Sequence, residues 1–227
     1  MPLTYDPKGF WWGEDVALDQ ADRRVNALYI RDTCATDTWA FMCTGYDNGW
    51  SGGKKAPAWT IEAIAAFCGN CRVESWINPG VYEGRKPTGR GYGLVQWTPG
   101  TLLRDWANSL GYPTYDIDVQ LGRLEYEYDN RLEWYPRGDY KDVKNFRNFT
   151  QGTNVDHLTG AFWRNYLRSA ASSKPTDSEE YKKSLSNRTA AARSFLSLFR
   201  RTPAKPPWRP VHGGESSIYY IRRQRRF

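Results

Sequence analysis

Groups that could hold a metal are scarce in this chain. Its 227 residues include two histidines, His157 and His212, and four cysteines, Cys34, Cys43, Cys68 and Cys71. Neither histidine has a metal-motif neighbour. Cys68-x-x-Cys71 is not followed by a second such pair, and the Cys34–Cys43 spacing is loose for zinc. A thioredoxin-like dithiol wants its pair at a helix N-terminus, where the thiolate is stabilised, whereas Cys68 and Cys71 fall deep inside a helical pattern. No metal and no cofactor are therefore expected, and the cysteines read as small buried hydrophobes. A disulfide from the 34–43 region to the helix in an oxidising compartment stays open as an alternative. Long apolar runs are also missing. None approaches the ~20 residues that cross a bilayer, so no membrane span is expected. The opening Met-Pro-Leu-Thr-Tyr-Asp has neither a basic nor an apolar signal region, so no signal peptide is expected. Finally, residues 1–199 lack a net charge: the formal +7 is accounted for by residues 200–227, with eight Lys or Arg against Glu215.

Aromatic residues are abundant, at 15% with 11 Trp and 15 Tyr. Rings of this kind fill cores and interfaces and also stack on sugars, and most are assigned here to the core. The most informative stretch runs from Trp59 to Trp97. Thr60 can cap a helix, and Ile61, Ile64, Ala65, Cys68 and Cys71 line one of its faces. The pattern predicts a helix with that face buried, closed by Asn78-Pro79-Gly80. Glu74 then sits where a buried helix meets a loop, two residues from Trp76. Such surroundings disfavour ionisation and hold a carboxylic acid protonated, as a general acid requires. Gly89-Arg90-Gly91-Tyr92-Gly93 lets the backbone approach a bulky ligand, and the nearby rings offer flat platforms. An acid, a close-approaching backbone and stacking aromatics point to a carbohydrate cleft.

Glu74-Ser75, Asn78-Pro79 and Gly93-Leu94-Val95-Gln96 resemble the signature of soluble lytic transglycosylases and goose-type lysozymes. With Cys68-Gly69-Asn70 and Gly91-Tyr92 through Trp97-Thr98 added, the stretch is more similar still to the phage tail-tip lysozymes. The resemblance covers about 59–106 strongly and parts of 22–30 and 119–200 more weakly. It implies a mainly α, lysozyme-like helical domain that cleaves peptidoglycan, with Glu74 as the acid. A second carboxylate, where one is used, would be Glu83; the lytic transglycosylases need none, so Glu83 can equally be a loop residue bonded to backbone. Gln96 aligns with the family's cleft glutamine, which would fix a sugar. Of Tyr92 and Trp97 beside it, one would stack on substrate and the other join the core. Asn165-Tyr166 resembles a late family motif in which the tyrosine contacts the catalytic Glu. The Leu167-Arg168-Ser169 that follows departs from the Glu-Arg-Pro common there.

Along the chain, residues 1–20 read as an aromatic strap. Residues 21–200 form the enzyme-like domain, and a segment over 32–58 looks inserted, with a helix over 35–43 and then a glycine loop. Helices are expected over 15–31, 98–110, 117–134, 156–169 and 178–200, with Phe146 and Phe149 anchoring the polar run 137–154. Glu125, Glu127 and Glu133 are assigned to a solvated face. Any sheet should be small and lie near 80–95. Residues 201–227 form a Pro-rich basic arm, read as a docking arm for other tail proteins, with a disordered tail as the alternative.

The function expected from the resemblance is a virion-borne, tail-associated glycosidase acting on peptidoglycan glycan strands at the bacterial wall. A free endolysin, and a structural knob or plug with a lysozyme-like fold, are the competing readings. Nucleic acid is not expected as a partner.

Overall fold

The computed structural model describes residues 4–5, 11–12, 20–35, 58–85, 90–109, 114–115, 117–130 and 132–204. The architecture is mainly α. Helix α1 spans Gln20–Cys34, α2 Ile61–Glu74, α3 Thr101–Ser109, α4 Ile117–Asp129, α5 Phe146–Thr150, α6 Val155–Ala161 and α7 Glu179–Arg201. Thr4–Tyr5 pairs antiparallel with Trp11–Trp12, a rung absent from the sequence expectation. The small sheet expected near 80–95 takes the form of isolated bridges, Tyr82 with Tyr92 and Tyr92 with Trp97. The helix and glycine loop expected within the insertion lie outside the described residues, as do Cys43, Gly89 and the arm beyond 204.

Helix α2 is the axis of the core. Thr60 caps it, its hydroxyl accepting from Ala63 N at 3.2 Å, as the sequence predicts. Burial is more complete than one face: every residue from Ala63 to Cys71 is buried. A helix apolar all round belongs inside a bundle, and α2 lies against α7, α6 and α1. Its broadest contact, with α7, depends on Gly69. A Cβ there would lie 2.6 Å from Ala192 Cβ and 2.7 Å from Ala192 N, so only glycine permits this approach. Cys68 and Cys71 are fully buried in α2, and burial pushes both thiols up, away from thiolate chemistry.

The aromatic surplus goes largely to the core. Trp59 meets Phe67, Phe146 and Phe149 edge-on at 5.2–6.0 Å, and Phe162 joins them through Phe67 and Phe149. Phe146 and Phe149 thus anchor their segment as expected, through the short helix α5.

Several boundaries shift. Helix α1 runs to Cys34, and Trp59 N donates to Cys34 O at 2.8 Å, so the chain returns beside the point where it left. Helix α3 buries Leu103 and Ala107 and leaves Leu102 exposed, because adjacent helical residues point about 100° apart. Helix α4 stops at Asp129, and Glu133 takes a left-handed φ of 61°. The expected 156–169 helix divides into α6 and a π-helical turn over Phe162–Leu167, closed by Arg168 at φ 52°. Helix α7 is capped by Ser178, whose hydroxyl accepts from Tyr181 N. Its C-terminal carbonyls are taken up by Arg31 of α1, which donates to Phe199 O, Thr202 O and Pro203 O at 2.7–3.3 Å.

The contact at Gly69 makes a direct prediction. Gly69→Val should lower stability by about 1–3 kcal/mol despite a better intrinsic helix former, read as a fall in urea midpoint with unchanged m-value. A variant as stable as wild type would show that the α2–α7 approach is looser than drawn.

Candidate active site

The C-terminal end of α2 carries the site. Glu74 is the last helical residue, and the helix ends there because Trp76 and Ile77 take left-handed φ values of 61° and 57°. The break therefore precedes Asn78-Pro79-Gly80, which forms its own turn with Gly80 N donating to Asn78 Oδ1 at 2.9 Å. Ser75 is buried and structural: its hydroxyl donates to Cys71 O at 3.0 Å and to Leu94 O at 2.8 Å. That second bond ties the Glu-Ser pair to the Gly-Leu-Val-Gln turn.

The sequence predicts surroundings for Glu74 that disfavour ionisation; the structure instead sets a cation beside it. Arg188 from α7 reaches across and donates through Nη2 to Glu74 Oε1 at 2.6 Å. The guanidinium is 4% exposed and the carboxylate 17%, so the cation is enclosed while the acid keeps an opening to solvent. Arg188 Nη1 donates to Asn70 Oδ1 at 3.2 Å, and its carbon lies 5.3 Å from the centre of the Trp163 ring. Asn70 is held in turn, its amide donating to Ala66 O and Thr159 O. Trp76 is half-exposed beside this end, with Arg23 at 4.3 Å and Arg72 at 5.3 Å from its ring centre.

The Tyr92–Trp97 turn is closed by paired backbone bonds of 3.0 and 3.1 Å. Gly93 sits at φ 83°, and a Cβ there would lie 2.7 Å from Gln120 Oε1. Gln120, on α4, is fully buried and went unremarked in the sequence. Its Oε1 accepts from Leu94 N at 2.8 Å, while Nε2 donates to Pro79 O at 2.6 Å and Thr114 O at 2.7 Å. One side chain therefore pins both loops that flank Glu74. The available signal was its place in phase with Ile117, Leu121 and Leu124, a polar residue on a buried face.

The remaining candidates are distributed differently from expectation. Gln96 donates its amide to Val81 O at 3.2 Å and Gly93 O at 2.9 Å, and its buried Oε1 has no hydrogen bond among the described residues. Tyr92 is fully buried and Trp97 nearly so, so neither presents a platform for a sugar in this structure. Both face inward because the tight turn between them directs their side chains into the core. Asn165 is also buried, its amide donating to Tyr140 O at 3.0 Å and its Oδ1 accepting from Arg137 N at 2.9 Å. Glu83 is exposed, and its Oε2 accepts from Gly91 N at 3.1 Å, the backbone-bonded alternative.

Tyr166 does touch a glutamate, but it is Glu127. The hydroxyl donates to Glu127 Oε2 at 2.5 Å, while Oε1 accepts from Trp97 Nε1 at 2.9 Å and Arg123 Nε at 2.8 Å. Glu127 and Glu125 are both 1% exposed, which overturns their assignment to a solvated face. Helix α4 lies inside the bundle, and arginines meet both acids: Arg123 at Glu127 and Arg147 at Glu125. Burial pushes the Glu127 carboxyl up against the opposing pull of its three donors, and it pushes the Tyr166 hydroxyl well up.

The phage tail lysozyme family model matches residues 50–199, the greater part of the chain, including Glu74, Gln120, Glu127, Tyr166 and Arg188. This chain belongs to the phage tail lysozyme family. Among individual proteins, it is 35% identical over 138 residues to morphogenesis protein 1 of Bacillus phage B103. That match takes in 57% of this chain and 36% of the relative, so it spans little more than a third of the relative's length.

The Glu127 network predicts a pH dependence. A carboxyl raised above its ordinary 4.5 binds a proton more readily folded than unfolded. Its contribution to stability is fully present below that ordinary value and is lost as pH rises through the raised folded value. Glu127→Gln, which removes the titration, should flatten the decline in stability above pH 4.5, measured by urea unfolding at several pH values. A variant with the same slope as wild type would contradict the burial-dominated reading.

Proposed function

We propose that this lysozyme-like phage tail protein cleaves the β-1,4 bond between MurNAc and GlcNAc in peptidoglycan, with Glu74 as proton donor. The carrying observation is the asymmetry of the Glu74 carboxyl. Oε1 is held by a buried guanidinium, whereas Oε2 makes no hydrogen bond among the described residues and the group keeps an opening to solvent. An acid placed this way is fixed in direction and still reachable by a glycan. That is the requirement for protonating a glycosidic oxygen.

In this mechanism Glu74 gives its proton to the glycosidic oxygen as the bond to the anomeric carbon breaks. The electron pair stays on the leaving oxygen, and positive charge develops at the anomeric carbon. Water, or the C6 hydroxyl of the same sugar, then adds at that carbon and returns its proton to Glu74. The first route yields a reducing end and the second an anhydro sugar. Glu83, exposed and attached to Gly91 N, would assist only by turning toward the bond, so substrate assistance is favoured over a second carboxylate. Gln96 would act by holding the Val81 and Gly93 carbonyls, and Trp76, half-exposed beside the end of α2, would be the ring a sugar meets by displacing Arg23 from its face.

The site of action proposed is the bacterial wall, with the protein carried on the tail and its N-terminal strap and basic arm docked to other tail proteins. The name of the phage B103 relative refers to morphogenesis, which favours assembly into the particle as a further role over a free endolysin.

Incubating the protein with Gram-positive sacculi and weighing the soluble fragments by mass spectrometry tests this. Wild type should release disaccharide-repeat products, and the two routes differ by one water in mass. Glu74→Gln should reduce release by about 10²–10⁴-fold. Intact glycan after exposure to the wild-type protein would remove the glycosidase reading.

A further inference from the structure

We infer that Arg188 is the positioning residue of the proton donor: it fixes Glu74 Oε1, so that the proton is carried and released at Oε2, and it neutralises the carboxylate left behind. The inference rests on Glu74 being the donor proposed above, and it adds a residue that neither the Glu-Ser motif nor the Gly-Leu-Val-Gln turn contains.

The placement is built from the helix pair. Helices α2 and α7 meet at Gly69 and Ala192, where the missing Cβ brings the backbones together. Moving from Gly69 along α2 leads to Asn70 and then Glu74. Moving from Ala192 back along α7 leads to Arg188. The guanidinium therefore spans from Asn70 to Glu74, one nitrogen to each, at 3.2 and 2.6 Å. Its flat face lies by the Trp163 ring, and Asn70 is fixed by two carbonyls. Asn70 and Trp163, which flank the guanidinium, are themselves held, Trp163 through Nε1 to Ser169 Oγ at 2.8 Å. By contrast, the surface pairs on the same helix, such as Lys182 with Glu179, are open to solvent and hold nothing in place.

A buried arginine is costly to enclose and needs an acid and further acceptors. Among the described residues Arg188 makes one ion pair, with Glu74, and its buried Nε has no hydrogen-bond partner. A pair kept for stability alone would be served better by satisfying that nitrogen or by apolar packing. A pair kept for chemistry needs what is seen: a rigid donor on one carboxylate oxygen and, among the described residues, no hydrogen bond on the other. Once the proton has passed from Oε2 to the glycosidic oxygen, the new carboxylate finds its counter-ion already in place, with no reorganisation. Among the described residues Cys71 interacts with both Glu74 and Arg188, and Cys68 with Cys71; burial pushes both thiols up, so they stay neutral.

Two measurements test this, one of them independent of catalysis. The first is a double-mutant cycle of thermal stability with Glu74→Gln, Arg188→Met and the double variant. Glu74→Gln alone should lower Tm, because it strands an enclosed cation, and adding Arg188→Met should recover part of the loss. Additive changes in Tm would overturn the inference even if no glycan were ever cleaved. The second is kcat and KM on solubilised glycan strands against pH for wild type, Arg188→Lys and Arg188→Met. For Arg188→Met, kcat should fall about tenfold or more with KM little changed, and the alkaline limb of the profile should move to higher pH. Arg188→Lys should recover the position of that limb while recovering kcat only in part, since a lysine offers no planar fork. An unmoved profile in folded Arg188→Met would overturn the inference. Full activity in Glu74→Gln would instead overturn the choice of donor, leaving the two claims separable.

Discussion

The approach of α2 and α7 at Gly69 and Ala192 is the constraint on which the rest of this structure depends. It brings two backbones within the distance that one added methyl would close, and it aligns Asn70 and Glu74 of one helix with Arg188 of the other. Because α2 is buried along nearly its whole length, the core holds it on all sides and the position of Glu74 is decided by packing rather than by a loop. Its two ends are partly exposed, at Ile61 and Glu62 and again from Arg72 to Glu74, and the second end carries the candidate acid.

Among the described residues the loops beside Glu74 are joined by isolated bridges, and single side chains fix them further. Ser75 joins the helix end to Leu94, and Gln120 joins the Pro79 and Leu94 loops to α4. Glu127 joins Trp97 to Tyr166 and Arg123, linking the same turn to the π-helical segment. These are buried polar groups with their partners in place. Removing one leaves several unsatisfied donors or acceptors in a poorly solvated interior, so such networks specify geometry more than they add stability.

The parts of this arrangement that were legible in sequence are those that follow local rules. Thr60 as a cap, the helical period of α2, the anchoring of Phe146 and Phe149 and the helix beginning at Ser178 all depend on neighbours a few residues away. Glu74 was legible because its motif is local too. What was not legible required a partner far along the chain. Glu125 and Glu127 look like a wet face until Arg147 and Arg123 are seen to meet them inside the bundle. Tyr166 was directed toward Glu74 by its motif, but the turn at Trp97 brings Glu127 to it instead. Arg188 lies in an amphipathic helix rich in basic residues, and nothing in its immediate sequence separates it from Lys182 or Arg193. Its placement beside Glu74 follows from the close approach at Gly69, more than a hundred residues away.

If Glu74 is the proton donor, a glycan meets it at Oε2 while Arg188 keeps Oε1. A crystal structure of Glu74→Gln with a bound peptidoglycan oligosaccharide would show this. The expected result is a glycosidic oxygen within hydrogen-bond distance of the atom of residue 74 that Arg188 leaves free, with Arg188 still bonded to the other and to Asn70. A saccharide bound away from the end of α2, or Arg188 drawn out of the core to contact the sugar, would contradict it.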